Sequence, residues 1–280
     1  MAWTEITRKL YERKSARYAS DITDREWEII EPFIGHHPTV GRPWTHQARE
    51  IWNAVQYIAA TGCQWRALPK DFPPYSTVQH HFYNWRDSGL LSLINEALVE
   101  VNRVLDGRSS SPTAGIIDSQ SVKTTESGGP RGYDAGKKIK GRKRHIITDT
   151  ASNMLTGMVH TADIQDRDGA STVIELTKES YPMMTKLFAD GGYAGKKLAT
   201  AVAHIKNLAI EIVRRSDLVK GFVVLVKRWV VERTFGWLGR CRRLAKDWEA
   251  TLASAEAWML IASIRRMNRA SAMRLEKIQP

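Results

Sequence analysis

Ala114-Gly-Ile-Ile-Asp118 is a short apolar run that stops on a carboxylate, and Leu187-Phe-Ala-Asp190 uses the same device later in the chain, followed by Gly-Gly-Tyr193. Both runs are too short for helices and read as buried strands. Three more strand-like runs accompany them: His145 to Thr148, Met154 to His160 and Ala209 to Val213, with a hairpin turn expected over Asp149 to Asn153. Helical periodicity fills the gaps over about 167–179, 195–205, 226–246 and 251–269. The pattern is α/β, with a mixed five-stranded sheet. If the first three strands form an antiparallel meander and the fourth lies parallel beside the first, the carboxyl ends of the first and fourth strands are neighbours. Asp118 and Asp190 then sit side by side.

Upstream of this region the period is helical. Thr23-Asp-Arg-Glu26 is a capping box, and Pro32 with Gly35 is expected to end the helix it opens. A second helix follows Thr45 and closes at Gly62, with Ile51, Val55 and Ile58 on one face. A third is expected from an N-cap at Ser76 to Asp87. It buries Val78, Phe82 and Trp85 and turns Gln79, His80, Tyr83, Asn84 and Arg86 away, as a groove-reading helix would. A fourth carries Leu91, Ile94, Leu98, Val101 and Leu105. The polar break Gly107-Arg-Ser-Ser-Ser-Pro112 then divides the chain into two expected domains, an all-helical 1–107 and an α/β 113–272.

The 280 residues carry 42 Lys and Arg against 30 Asp and Glu, a formal charge of +12, which points to a polyanionic partner. The charge is local. Residues 131–146 hold Arg131, Lys137, Lys138, Lys140, Arg142, Lys143 and Arg144 against Asp134, and residues 212–246 hold a second basic run that includes Arg228, Arg240 and Arg242. Together with Lys123, the 137–144 run is expected to contact DNA phosphate. Ten Trp and 42% apolar residues exclude wholesale disorder. No apolar run is long enough for a membrane span and the first residues lack the apolar segment of a signal peptide, so a cytoplasmic protein is expected. Cys63 and Cys241 are too few for a disulfide framework.

A third carboxylate is expected on the helix after the fifth strand, where Glu232 stands among bulky apolar neighbours in Trp229-Val-Val-Glu-Arg-Thr-Phe-Gly-Trp237. Three packed anions repel one another and are relieved by divalent cations. Two Mg²⁺ ions roughly 4 Å apart can activate an attacking oxygen and stabilise a leaving one in displacement at phosphorus. Asp163, Asp166 and Asp168 form a denser acidic group, but they precede a helix, where acids favour the dipole, and are read as structural. Tyr193 is read as packing. His80 and His81 diverge on their helix and are not read as a metal pair. The element order from residue 113 is that of the ribonuclease H-like fold.

Four stretches carry a family resemblance: Ile117-Asp-Ser-Gln-Ser-Val-Lys123, Gly136-Lys-Lys-Ile-Lys-Gly-Arg-Lys-Arg-His145, Ala189-Asp-Gly-Gly-Tyr193 and Arg228-Trp-Val-Val-Glu-Arg-Thr-Phe-Gly-Trp-Leu238. They resemble the DDE transposases of bacterial insertion sequences of type five. Gly62-Cys-Gln-Trp-Arg-Ala-Leu-Pro69 and Ser76-Thr-Val resemble that family's DNA-binding region. The resemblance implies a helical DNA-binding domain ahead of a ribonuclease H-like catalytic domain, with Asp118, Asp190 and Glu232 as a metal-binding catalytic triad. It implies Mg²⁺, with Mn²⁺ as substitute, cleavage at the ends of an insertion sequence, strand transfer into target DNA, and a homodimer synapsed on double-stranded DNA near the bacterial nucleoid. Arg228 fits the Arg that the family places four residues before the Glu. Leu225 and Gly239 stand where a Tyr and a Lys are expected, with Arg240 or Arg242 as substitutes for the Lys. Two alternatives stay open: a structure-selective nuclease without strand transfer, and a DNA-binding repressor derived from a transposase.

Overall fold

Thr23 and Glu26 cap the first helix reciprocally, the Thr23 hydroxyl accepting from the Glu26 amide and the Glu26 carboxylate from the Thr23 amide. The computed structural model describes residues 17–35, 45–126, 128–213 and 226–278. Helix α1 (Asp24–Ile34) runs through Pro32 and ends at Gly35, whose amide closes onto Glu31 O. Pro32, in the last turn, has no amide hydrogen to donate, and with Gly35 it marks the end of the helix as expected. Helix α2 (Ala48–Thr61) buries Ile51, Trp52, Val55 and Ile58, and stops where Gly62 takes a left-handed φ of 73° that a side chain would strain. Helix α3 (Tyr75–Asp87) starts after Pro74 and not from a Ser76 cap, and α4 (Leu90–Leu105) follows at once.

The sheet comprises β1 (Ala114–Lys123), β2 (Gly132–Asp134), β3 (Ile139–Asp149), β4 (Met154–Thr161), β5 (Lys186–Ala189) and β6 (Ala209–Ile212). Its order is β2-β3-β1-β5-β6, with β4 also on β3. The β1–β3 and β3–β4 pairs are antiparallel and the β1–β5 and β5–β6 pairs parallel. The meander and the parallel fourth strand are therefore as expected, and the described sheet has six strands where five were expected. The sixth, β2, exists because β3 begins at Ile139, well before His145, and offers its outer edge to Gly132–Asp134.

Helices α5 (Asp166–Ser180) and α6 (Lys196–Ala201) lie between strands; α7 (Val226–Leu238) and α8 (Leu252–Ile278) finish the described chain. The expected helix over 226–246 ends at Leu238. Gly239 is a poor helix former, and the turn there starts a one-turn 3-10 helix, Arg242–Leu244, that buries Cys241 and Leu244. Helix α8 is the spine of the molecule. It packs on α1, α2, α3 and α4 as well as on β4 and α7, and its Trp258 stacks on Phe82 at 4.6 Å. One continuous apolar cluster runs from Ile22 through Trp52, Ile116 and Leu187 to Met267. Across the same seam Arg103 of α4 pairs with Asp149 at 2.8 Å, both buried.

The basic stretch 139–144 is strand, not loop. Arg142 is 0% exposed, and Lys143 and Arg144 are nearly as buried. Arg142 pairs with Asp247 at 2.9 Å and also donates to Pro130 O, while Arg144 donates to Leu244 O at 2.7 Å. Lys143, on the opposite face, reaches Asp166 at 2.7 Å and Ile164 O. The expectation that Arg142, Lys143 and Arg144 contact DNA phosphate is revised: all three are buried and paired with segments on both faces of β3.

Candidate active site

The parallel pairing of β1 and β5 sets Ile116 opposite Phe188, and carrying that register two residues further sets Asp118 opposite Asp190. The acids, half-buried, line one cleft with Ile116, Ile117, Phe188, Ala189, Val213 and Val231. Asp118 Oδ1 accepts from the Ser119 amide at 2.7 Å. Asp190 caps the one-turn 3-10 helix Gly191–Tyr193, its Oδ1 accepting from the Gly192 amide at 2.8 Å. Such local bonds fix each carboxylate while leaving acceptor capacity for a further partner.

Val231 reaches the cleft from α7, which packs on β1, β3 and β5. Glu232 is the next residue and is exposed. The structure thus brings Asp118 and Asp190 together and puts Glu232, exposed, on the adjoining helix. Among the described residues no three His, Cys, Asp or Glu side chains are grouped closely enough to hold a metal ion. The donor chemistry of the cleft still suits a hard divalent cation, since two carboxylates at neighbouring strand ends supply the oxygen ligands that Mg²⁺ and Mn²⁺ prefer. Arg228 lies in the first turn of α7 and its side chain is outside the described residues, as are residues 214–225, which include Leu225.

Of the other expected contacts, Lys123, Lys137, Lys138, Lys140, Arg240 and Arg242 are all exposed. Lys137 donates from Nζ to the carbonyl of Ser119, the neighbour of Asp118, at 3.2 Å. The acids of the first turn of α5 are bound up in the fold: Asp166 accepts from Ser119 Oγ and Lys143 Nζ, and Asp168 pairs with Lys197. Burial would raise the Asp166 pKa, but the Lys143 and Ser119 hydrogen bonds outweigh it and hold the carboxyl below its usual value.

Sequence reasoning missed the layer beneath the cleft. Tyr193, His145 and His160 are buried in a chain of contacts, Tyr193 Oη–His145 Nε2 at 2.7 Å and His145 Nδ1–His160 Nε2 at 2.9 Å. Burial, and then His160, push the His145 pKa down to about 3; burial also lowers His160. The Tyr193 phenol is raised by burial and then by the charges of Asp118 and Asp166, with Asp190 adding to them. His145 and His160 sit in two strand runs already legible, but nothing local in either run says that β3 and β4 bring them into contact.

A mixed sheet of this order, with aspartates at the ends of adjacent parallel strands and a helix across them, defines a ribonuclease H-like domain. The comparisons agree: residues 109–267 match the family "Transposase DDE domain", and residues 22–95 match "Putative transposase of IS4/5 family (DUF4096)". The chain belongs to the DDE transposases, of the IS4/IS5 type. No curated protein and no solved structure matched. It is accordingly a nucleic-acid-cleaving enzyme whose substrate is DNA. No helix among the described residues is long and apolar enough to cross a membrane.

Proposed function

We propose that this transposase binds the ends of its own insertion sequence, hydrolyses a phosphodiester there, and joins the freed 3′ hydroxyl to target DNA, with Asp118, Asp190 and Glu232 as the catalytic acids. The observation that carries the reading is the convergence of Asp118 and Asp190 on one cleft that α7 covers. In the first step water forms a bond to phosphorus as the bond to the 3′ oxygen breaks. In the second the 3′ oxygen is the nucleophile and a target strand's oxygen leaves. When bound, divalent ions, Mg²⁺ or Mn²⁺, supply the Lewis-acid stabilisation that both steps need. Asp118 and Asp190 would hold them, with Glu232 completing the set from α7.

Phosphate positioning falls to the exposed cations. Lys137 is held beside the acids by Ser119, and Lys123, Lys138 and Lys140 extend the same edge. Arg228, one turn before Glu232, is suited to a bidentate phosphate clamp, and Arg240 and Arg242 follow the end of that helix. The exposed side of α3, with His80, Tyr83 and Asn84, is the proposed groove reader. Coupled chemistry at two ends calls for a homodimer on DNA. The test is incubation with labelled end DNA, a plasmid and Mg²⁺: joined product supports the reading. Cleavage without joining reduces the protein to a nuclease, and end binding without cleavage to a repressor.

A further inference from the structure

Three buried side chains outside the acid cluster form a chain whose hydrogen-bond directions follow from its far end. A backbone carbonyl only accepts, so His160 Nδ1, 2.9 Å from Thr161 O, carries a proton. A neutral His160 then accepts at Nε2, which requires His145 Nδ1 to donate across their 2.9 Å contact. His145 Nε2 is left as an acceptor, and Tyr193 must donate its one hydroxyl proton to it at 2.7 Å. Charging either ring would reverse a bond, and burial opposes charge: His145 is 0% exposed and its pKa is pushed down to about 3. The chain ends on an amide carbonyl, which cannot take up a proton, so it orients groups and relays nothing.

What it orients is the turn that carries Asp190. Tyr193 closes that turn, its amide donating to Asp190 O at 3.2 Å. At its other end His145 pairs across β3 and β1 with Ser119, next to Asp118. Tyr193 therefore ties the segment bearing one acid to the strand bearing the other. Room for the tie is made by Gly169 inside α5, where a Cβ would fall 2.5 Å from His160 Nε2 and 3.0 Å from His145 Nδ1. A glycine is a weak helix former, and its place in the first turn of α5 is explained by this approach.

We infer that Tyr193 is a positioning residue that, locked through its hydroxyl by His145 and His160, holds Asp190 in register with Asp118 for a divalent cation. The inference rests on the assignment of those acids to the metal. Its test is Mn²⁺ affinity of the full chain, read by electron paramagnetic resonance of the free ion, for wild type, Asp118→Asn and Tyr193→Phe. Wild type should bind Mn²⁺ in an Asp118-dependent way, and Tyr193→Phe, with its far-UV spectrum retained, should bind it about tenfold more weakly, the usual loss when a supporting partner of a metal ligand is removed. A purely structural hydroxyl would shift the melting temperature and leave Mn²⁺ affinity alone, which would overturn the inference while sparing the acids. Wild-type binding that ignores Asp118→Asn would overturn both. A second readout needs no variant: ¹⁵N signals of His145 and His160 at pH 7 should report neutral rings protonated at Nδ1, and a proton on His145 Nε2 would overturn the scheme.

Discussion

The basic run 137–144 divides into two halves that look alike in sequence and behave oppositely. Lys137, Lys138 and Lys140 are exposed at the start of β3, whereas Arg142, Lys143 and Arg144 are buried two residues further on. The difference lies in what covers each half. Asp247 and the carbonyls of Leu244 and Ala250 wait for the arginines on one face, and Asp166 with Ile164 O waits for Lys143 on the other. A cation's neighbours in the chain do not tell whether it faces DNA or an acid a hundred residues away.

Removing one partner of the buried pair should have the largest effect on stability. Arg142→Ala should destabilise the fold by about 3–5 kcal/mol, because it leaves Asp247 buried without its guanidinium, whereas an Arg142→Met, Asp247→Leu double variant should recover most of that loss. Urea unfolding of the three proteins decides it, and an Arg142→Ala loss below about 1 kcal/mol would place this arginine with the exposed half.

A smaller effect should appear with pH. His145 has a pKa of about 3 in the fold against an ordinary 6.5, so between those values the unfolded chain binds a proton that the folded chain does not. Stability should therefore fall as pH drops below about 6.5, by up to about 1.4 kcal/mol per pH unit from this ring. Asp166, held low by Lys143 and Ser119 against its burial, adds a loss only as pH falls through the acidic carboxylate range below about 4. Denaturant midpoints at pH 7.5, 6.0 and 5.0 should decline for wild type and flatten for His145→Asn; parallel profiles would contradict the buried neutral ring.

The smallest stability change belongs to the exposed half. Lys137→Gln, Lys138→Gln and Lys140→Gln combined should leave unfolding within about 0.5 kcal/mol of wild type. The salt dependence of DNA binding should flatten by up to about 0.9 in slope for each phosphate that the variant no longer neutralises. An unchanged slope would make this edge a solvated face and remove the contrast with Arg142 to Arg144.

The same division governs what was legible in the sequence. Ala114 to Asp118 and Leu187 to Asp190 are local signals, apolar runs ending on an acid, and they sufficed to order the meander and bring the two acids to neighbouring strand ends. Thr23 with Glu26, Gly62 and the helical stripes are equally local, and they hold except at Val101, which is exposed. What failed is what depends on distant partners or on the relative strength of competing signals. Gly239 was outweighed by the helical run around it, yet it turns the chain. The early start of β3, the burial of Arg142 and the contact of His145 with His160 and Tyr193 all arise from strand pairing and layering. Glu232 lies on the expected helix beside the cleft-lining Val231, and it is exposed.

We propose the two strand-end acids, Asp118 and Asp190, as the seat of the chemistry. The most direct test is divalent-dependent cleavage of end DNA by Asp118→Asn and Asp190→Asn, measured beside wild type with end-binding isotherms for all three. Both variants should bind the end nearly as wild type does and neither should cleave it, because the carboxylates would hold the catalytic cation and not the phosphate. Cleavage by either variant within about tenfold of wild type, a difference of only about 1.4 kcal/mol in the barrier, would contradict the proposal.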